Sequence, residues 1–530
     1  MPGNARDRIP ATGQAVDPQP ARGRRSFPGL RGAVATVAAP VWLMTVAAAA
    51  VAAPTADGIA AEWASATAAV VRRADAAGLA ELAAVVRDWD LPEEEGRQFA
   101  LAIPSRMEAP EWVDTAEERA AWEAFLAARR ARAAGLFALA VEAARAHAVV
   151  PGRAARGAAD AAAPPLEQRT GAAIRLLHRA LRDDPDHARA REAGGWVRHD
   201  GEWVWPEVAR RLEKGEEFSP EFGWLPRGRQ ERYRAGERYE QGRWIKADAD
   251  AAAAPRRGGV EAKGMKFASD HWQITSAAVP EAAAALAARL EETRTVWLQV
   301  FGCFQEEPAA WEQRFEGRGR RPAGPRSPFL ATLAADRAHY VRALEPLEPT
   351  VARTLGIYWT PTRTAWFFPD EGQEPTTVHH EATHQLFAET RRTSPLAGER
   401  SGFWAVEAAA CYMESLDRTP FGWTVGGRDA GRAAVARERL VEDGFHVPLE
   451  ELTALGRRAL QADERLPQIY SEIAGLADFF MNGERGRYRE AFVEYLARIY
   501  TGTVDADSLA RLCGRDYADL DDAYRRHMAR

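Results

Sequence analysis

The feature that most constrains this chain is one ten-residue run, Thr377-Val378-His379-His380-Glu381-Ala382-Thr383-His384-Gln385-Leu386. It sets two imidazoles four residues apart with a carboxylate beside the first. On a helix, positions i and i+4 stand one turn apart on the same face, so His380 and His384 can reach one ion while Glu381 projects from the neighbouring edge. With eleven histidines in 530 residues, such a spacing arises by chance on the order of once in a hundred chains of this kind. The residues around the ligands carry no further charge and no proline. That suits a continuous helix buried along its metal-bearing side, where a spare charge would compete for the ion or go unpaired. The expectation is zinc on His380 and His384 with Glu381 as general base. The competing reading is a buried helix with two hydrogen-bonded histidines.

A catalytic zinc takes three protein ligands and keeps a position for water. The next long apolar stretch, Ser401 to Glu414, has a single carboxylate, Glu407, in its otherwise uncharged first half. A charge among Phe403, Trp404, Val406 and three alanines is expensive unless it is paired or bound to a metal. Ala408, Ala409 and Ala410 would let this helix pack closely on the first. Glu407 follows His384 by 23 residues, room for a loop from Arg391 to Arg400 and an antiparallel return. Glu407 is therefore the expected third ligand.

These residues resemble the gluzincin clan of zinc metallopeptidases. More narrowly, HHEATHQLF, FWAVEAAACYMES and PQIYSEIAGLADFFMNGERGRYREAFVEYL look like a family of exported bacterial proteins of unknown function, DUF1570. The resemblance covers about residues 265 to 530. It implies a zincin-like fold, zinc on His380, His384 and Glu407, Glu381 as base, and no particular substrate. Two positions depart from the pattern. Ala408 stands where the family has Gly, and Cys411 stands where better-known gluzincins have an Asp that orients the first histidine. A ligating imidazole needs such a partner. Glu414, one heptad after Glu407, is a candidate, against the plainer reading of a solvated charge at a helix end.

The expected chemistry is peptide hydrolysis, with zinc polarising the carbonyl and acidifying water while Glu381 carries the proton to the leaving amine. The developing oxyanion needs a donor besides the metal. Tyr470 and His446 are the candidates. Tyr470 is preferred because it lies in the stretch closest to the family, and a surface role is the plainer reading of His446. His379 should point away from the metal face.

The remainder sets the context. A chain of this length suggests several units, and a net charge of -6 gives no reason to expect nucleic acid as a partner. Residues 1–31 are polar and end in Arg22, Arg24, Arg25 and Arg31. Gly32 to Ala53 then carries no charge, and small residues follow. This reads as an export signal cleaved near 52–56, with Arg24-Arg25-Ser26-Phe27 resembling a twin-arginine signal. An uncleaved membrane anchor over 32–53 is the alternative, since about 20 apolar residues can span a bilayer. Three widely spaced cysteines exclude a disulfide framework.

The expected organisation is α+β and mainly helical. A leader (1–56) precedes an α-helical region (57–192) whose Ala172–Arg191 stretch resembles a tetratricopeptide hairpin turning at Asp184-Pro185-Asp186. A small Trp/Gly-rich β module (193–246) and a linker (247–264) follow. The last unit, 265–530, is a zincin-like domain with a small mixed sheet, an active-site helix and a C-terminal helical subdomain. The tryptophans of the β module should pack it against the helices, with a sugar- or peptide-gripping surface as the alternative. Thr364 to Phe368 is expected either to border the cleft and pair with substrate or to be a buried central strand. Thr376 or Thr377 should cap the motif helix. The leading reading is an exported zinc peptidase acting on peptide or protein, with membrane attachment through 32–53 left open. The alternatives are a non-catalytic cell-envelope scaffold on the same fold and a zinc amidase acting on a cell-wall peptide.

Overall fold

Helix-favouring Ala, Arg, Glu and Leu dominate residues 57–192, and the described residues there are mainly helical, apart from the short strand Gln98–Leu101, which pairs with Gly422–Val425. The computed structural model describes residues 55–91, 96–145, 170–240, 242–246, 265–319, 328–369 and 375–530. These belong to one compact unit, Pro54–Arg530. The expected leader with its apolar segment 32–53 and the linker 247–264 lie outside the described residues. No helix among the described residues is long and apolar enough to cross a membrane.

Helices Ala56–Ala76 and Thr170–Asp183 both pack on Ala116–Arg145. Thr170–Asp183 is followed by Ala188–Gly194 across the Asp184-Pro185-Asp186 turn, the expected hairpin. The Gly-Trp stretch forms the short hairpin Val197–His199 with Glu202–Val204, turning at Asp200 and Gly201, both at positive φ.

A seven-stranded sheet lies at the centre. In chain order its strands are β1 (Glu216–Ser219), β2 (Gly223–Pro226), β3 (Met265–Ala268), β4 (Trp272–Ser276), β5 (Phe329–Leu333), β6 (Ile357–Trp359) and β7 (Thr364–Phe367). Their spatial order is β6-β7-β5-β4-β3-β2-β1. β4, β5 and β7 run parallel, while β6 is antiparallel to β7 and forms one edge. Of the two alternatives for Thr364 to Phe368, the central strand is the one observed, and the edge falls to β6. At the other side, β1 and β2 come from the Trp/Gly-rich stretch and extend the sheet through Gly223 beside Ala268. A side chain at Gly223, which has φ +74°, would begin 2.3 Å from the Ala268 carbonyl oxygen, so only glycine permits this junction.

The helix Pro280–Val300 and the motif helix Thr376–Glu389 pack together against the sheet. Beyond them the buried helix Phe403–Glu414 packs on the motif helix and on Leu466–Gly486. The main core runs continuously from the sheet into this C-terminal helical region. The protein is thus mixed α+β and mainly helical. The motif helix begins at Thr376 after Pro375 with no side-chain cap, so neither Thr376 nor Thr377 caps it. Cys303, Cys411 and Cys513 are free thiols.

Candidate metal centre

The motif helix is tied to the sheet and to Pro280–Val300, which sets where its histidines point. Trp272 Nε1 donates to Gln385 Oε1 (3.0 Å), and Gln385 Nε2 donates to the Leu330 carbonyl (3.1 Å), tying the helix beneath β4 and β5. His379 is buried and its Nδ1 meets Thr293 Oγ1 at 2.7 Å. It therefore anchors the helix to Pro280–Val300 and faces away from the metal-bearing side, as its position predicts.

On the opposite face His380 Nε2 and His384 Nε2 stand 3.1 Å apart. Glu407 reaches both, with Oε2 3.5 Å from His380 Nε2 and Oε1 3.6 Å from His384 Nε2. Separations of 3.1 to 3.6 Å match the edge of a tetrahedron with metal–ligand bonds of roughly 2.0–2.1 Å, about 3.3 Å. The three donors the sequence singled out therefore fit a single ion, and they form a group that could hold a metal. Burial works against a charged Glu407, yet His384 and His380 beside it hold its pKa well below the usual carboxylate range. Burial likewise opposes charge on His380. The Cys411 thiol, Glu407 and Glu414 outweigh it and hold that ring well above the ordinary histidine value.

Glu414 is the partner that Cys411 leaves wanting. Its Oε1 lies 2.7 Å from His380 Nδ1, and its Oε2 accepts from Arg432 Nε at 2.7 Å. At 14% exposure it is no solvated helix-end charge. The heptad spacing from Glu407, two turns along one face, is the sequence signal for this role; Arg432 carries none. His380, Cys411 and Glu414 form a second possible donor group. Because Glu414 is already held by both Nδ1 and Arg432, the geometry favours orientation of the ring.

Glu381 lies alongside this group. Its Oε2 accepts from the backbone N–H of Tyr358 at 2.7 Å, a donor on edge strand β6 that only the fold could reveal. The approach depends on Gly356. A side chain there would begin 2.8 Å from Thr377 Cγ2 and 3.3 Å from Glu381 Cγ.

Tyr470, near the start of Leu466–Gly486, donates to Glu407 Oε2 at 3.2 Å and so stands at the group. Burial, reinforced by the Glu407 charge, pushes its phenol pKa up, which keeps it a proton donor. His446 does not reach the centre. Its Nδ1 lies 2.7 Å from Glu472 and its Nε2 3.2 Å from Asp521, with all three side chains buried. Nδ1 is hydrogen-bonded to Glu472 and Nε2 faces the Asp521 carboxylate, so the ring is held in this cluster and is neither an oxyanion donor nor a surface residue.

That cluster carries a pH dependence. Burial opposes charge on His446, but Asp521 and Glu472 raise its pKa to about 9. Its stabilisation is complete below the unfolded value near 6.5 and is lost as pH rises through about 9. Burial also raises the Glu472 carboxyl, which acts in the same direction. Urea midpoints should fall over this window, by at most about 3 kcal/mol in unfolding free energy. His446→Leu should flatten that part of the profile.

What the described residues define is a mixed α+β protein, mainly helical, with a half-buried two-histidine, one-carboxylate group beside a further carboxylate, Glu381. No family model matches the chain, and no curated protein does either.

Proposed function

We propose that the chain is a zinc-dependent peptidase on a zincin-like architecture. The observation that carries this reading is the convergence of His380, His384 and Glu407 with Glu381 beside them but outside the donor group. A site serving structure alone has no use for a further carboxylate beside the donors at that position and draws four protein ligands. His380, His384 and Glu407 would hold the ion. When bound, zinc supplies Lewis acidity at a carbonyl and lowers the pKa of water.

The protein's own residues supply the rest. Glu381, steadied by the Tyr358 N–H, takes the proton from the attacking water and returns it to the leaving amine. Tyr470 turns its hydroxyl from Glu407 toward the developing oxyanion. β6, an edge strand beside Glu381, offers backbone to an extended peptide. The likeness of the motif, Glu407 and C-terminal stretches to DUF1570 and the gluzincins supports the same reading. The basic-then-apolar leader supports action outside the cytoplasm.

The test is hydrolysis of a mixed peptide library by the full chain after chelation and after zinc is restored. Cleavage should vanish with chelation and return with zinc. Zinc binding without cleavage of any peptide would leave a scaffold in its place. Glu414→Gln bears on the same centre. Loss of the partner that orients a ligating imidazole costs roughly 10–100-fold in metal affinity, and competition with a chromophoric chelator should show a fall of that size.

A further inference from the structure

A cavity of about 760 Å³ lies among the helical region, the Gly-Trp hairpin and the far end of the motif helix. Small-molecule sites span about 300–1,000 Å³. Leu386 and Glu389, from the far end of the motif helix, line it, whereas none of His380, Glu381, His384, Glu407 and Tyr470 does. It is therefore separate from the metal group.

Its walls are aromatic and cationic. Trp196 and Trp205, which flank the hairpin, stack on each other with ring centres 4.4 Å apart and both face the cavity, joined by Trp297 and Trp311. The lining carboxylates all have cations of their own. Glu389 pairs with Arg363 at 2.6 Å, Glu306 with Arg314 at 3.1 Å and Glu207 with Arg210 at 3.1 Å. Arg391 is matched by Glu307 at 2.6 Å.

Three lining arginines are left without a carboxylate within 4.0 Å among the described residues: Arg191, Arg294 and Arg392. Arg191 is 3% exposed and donates only to the carbonyls of Pro185 and Pro104. Arg294 is 9% exposed, lies over Trp205 at 4.6 Å, and makes no hydrogen bond to any described residue. Glu291, Glu207 and Asp270 act on it only through space. Arg392 is exposed. A guanidinium has five donors in a fixed fork that matches a carboxylate. None of the Arg294 nitrogens is shut away from solvent without a partner, so its unspent fork opens into the cavity, where a ligand carboxylate can fill it.

We propose that this cavity is a binding site for an organic anion, a carboxylate carried on an apolar, ring-bearing body. Arg294 takes the carboxylate, Arg191 adds charge behind it, and Trp196, Trp205 and Trp297 wall the body. Arg392 draws the ligand in. The site needs no metal, so it stands or falls independently of the peptidase reading.

Isothermal calorimetry on the full chain, stripped of metal with a chelator, tests it with two probes, 2-naphthoate and hippurate, each against its primary amide. At least one carboxylate should bind one per chain and about tenfold or more tighter than its amide, because the amide cannot make the charge-assisted pair. Arg294→Gln should remove that preference, and the exposed Arg392→Gln, a change that leaves the fold intact, should weaken carboxylate binding by about two- to fivefold. Adding zinc, or introducing Glu381→Gln, should leave these affinities unchanged. Equal binding of acid and amide, absence of binding by both acids at millimolar concentration, or affinity indifferent to both arginine substitutions would overturn the proposal. Should Arg294→Gln fail to fold, the acid–amide comparison and Arg392→Gln still decide it.

Discussion

Glu381→Gln should retain a full complement of zinc while peptide hydrolysis falls by roughly 10²–10⁴-fold, the range that a positioned general base supplies. Glutamine keeps the shape of the side chain and an oxygen that can accept from Tyr358 N–H, where Glu381 Oε2 now accepts at 2.7 Å. It cannot take a proton. Glu381 is not among the three convergent donors, so metal content should not change. Zinc analysis of purified protein and initial rates on the peptide library measure the two halves separately. A variant that lost zinc in step with activity would make Glu381 a ligand, and a fully active one would remove the base from the scheme.

Glu407→Ala should give the opposite pattern, with metal lost first and turnover following. The carboxylate is 7% exposed and touches His380, His384 and Tyr470. Removing it deletes one donor and takes the neighbouring carboxylate from His384, while His380 keeps Glu414. Zinc affinity should fall by more than the roughly 10–100-fold expected for Glu414→Gln, since a ligand is lost and not its support. Ligand binding stabilises by about 2.7 kcal/mol at a hundredfold excess over Kd. The rise in melting temperature on adding zinc should therefore nearly disappear in Glu407→Ala while wild type retains it. An unchanged zinc response in Glu407→Ala would place the third ligand elsewhere.

The residues that converge on the site were legible because their cost is local. A helix bearing two imidazoles one turn apart, and a lone carboxylate in an apolar helix, each announce a bound partner before any fold is known. Among the elements feeding the site, the strand Thr364–Phe367 was in view as one of two readings of that stretch. What escaped was non-local. Which strand lies at the edge depends on the order of all seven, so β6 could not be told from β7. Glu414 was in view by its heptad spacing, but only the approach of Arg432 and His380 separates an orienting carboxylate from a solvated one. His446 shows the converse. Glu472 and Asp521, 26 and 75 residues further on, bury it in an ion-paired cluster that no short spacing foretells. Backbone groups such as the Tyr358 N–H carry no sequence signature at all.

The central claim is that His380, His384 and Glu407 hold one zinc with a position left for water. X-ray absorption at the zinc edge, on stripped full-length protein titrated with zinc, tests it most directly. One ion per chain, with two imidazole nitrogens and oxygen ligands at roughly 2.0–2.2 Å and no sulfur, is the predicted result. Substoichiometric binding, or a zinc–sulfur distance near 2.3 Å that brings Cys411 into the ligand set, would contradict it.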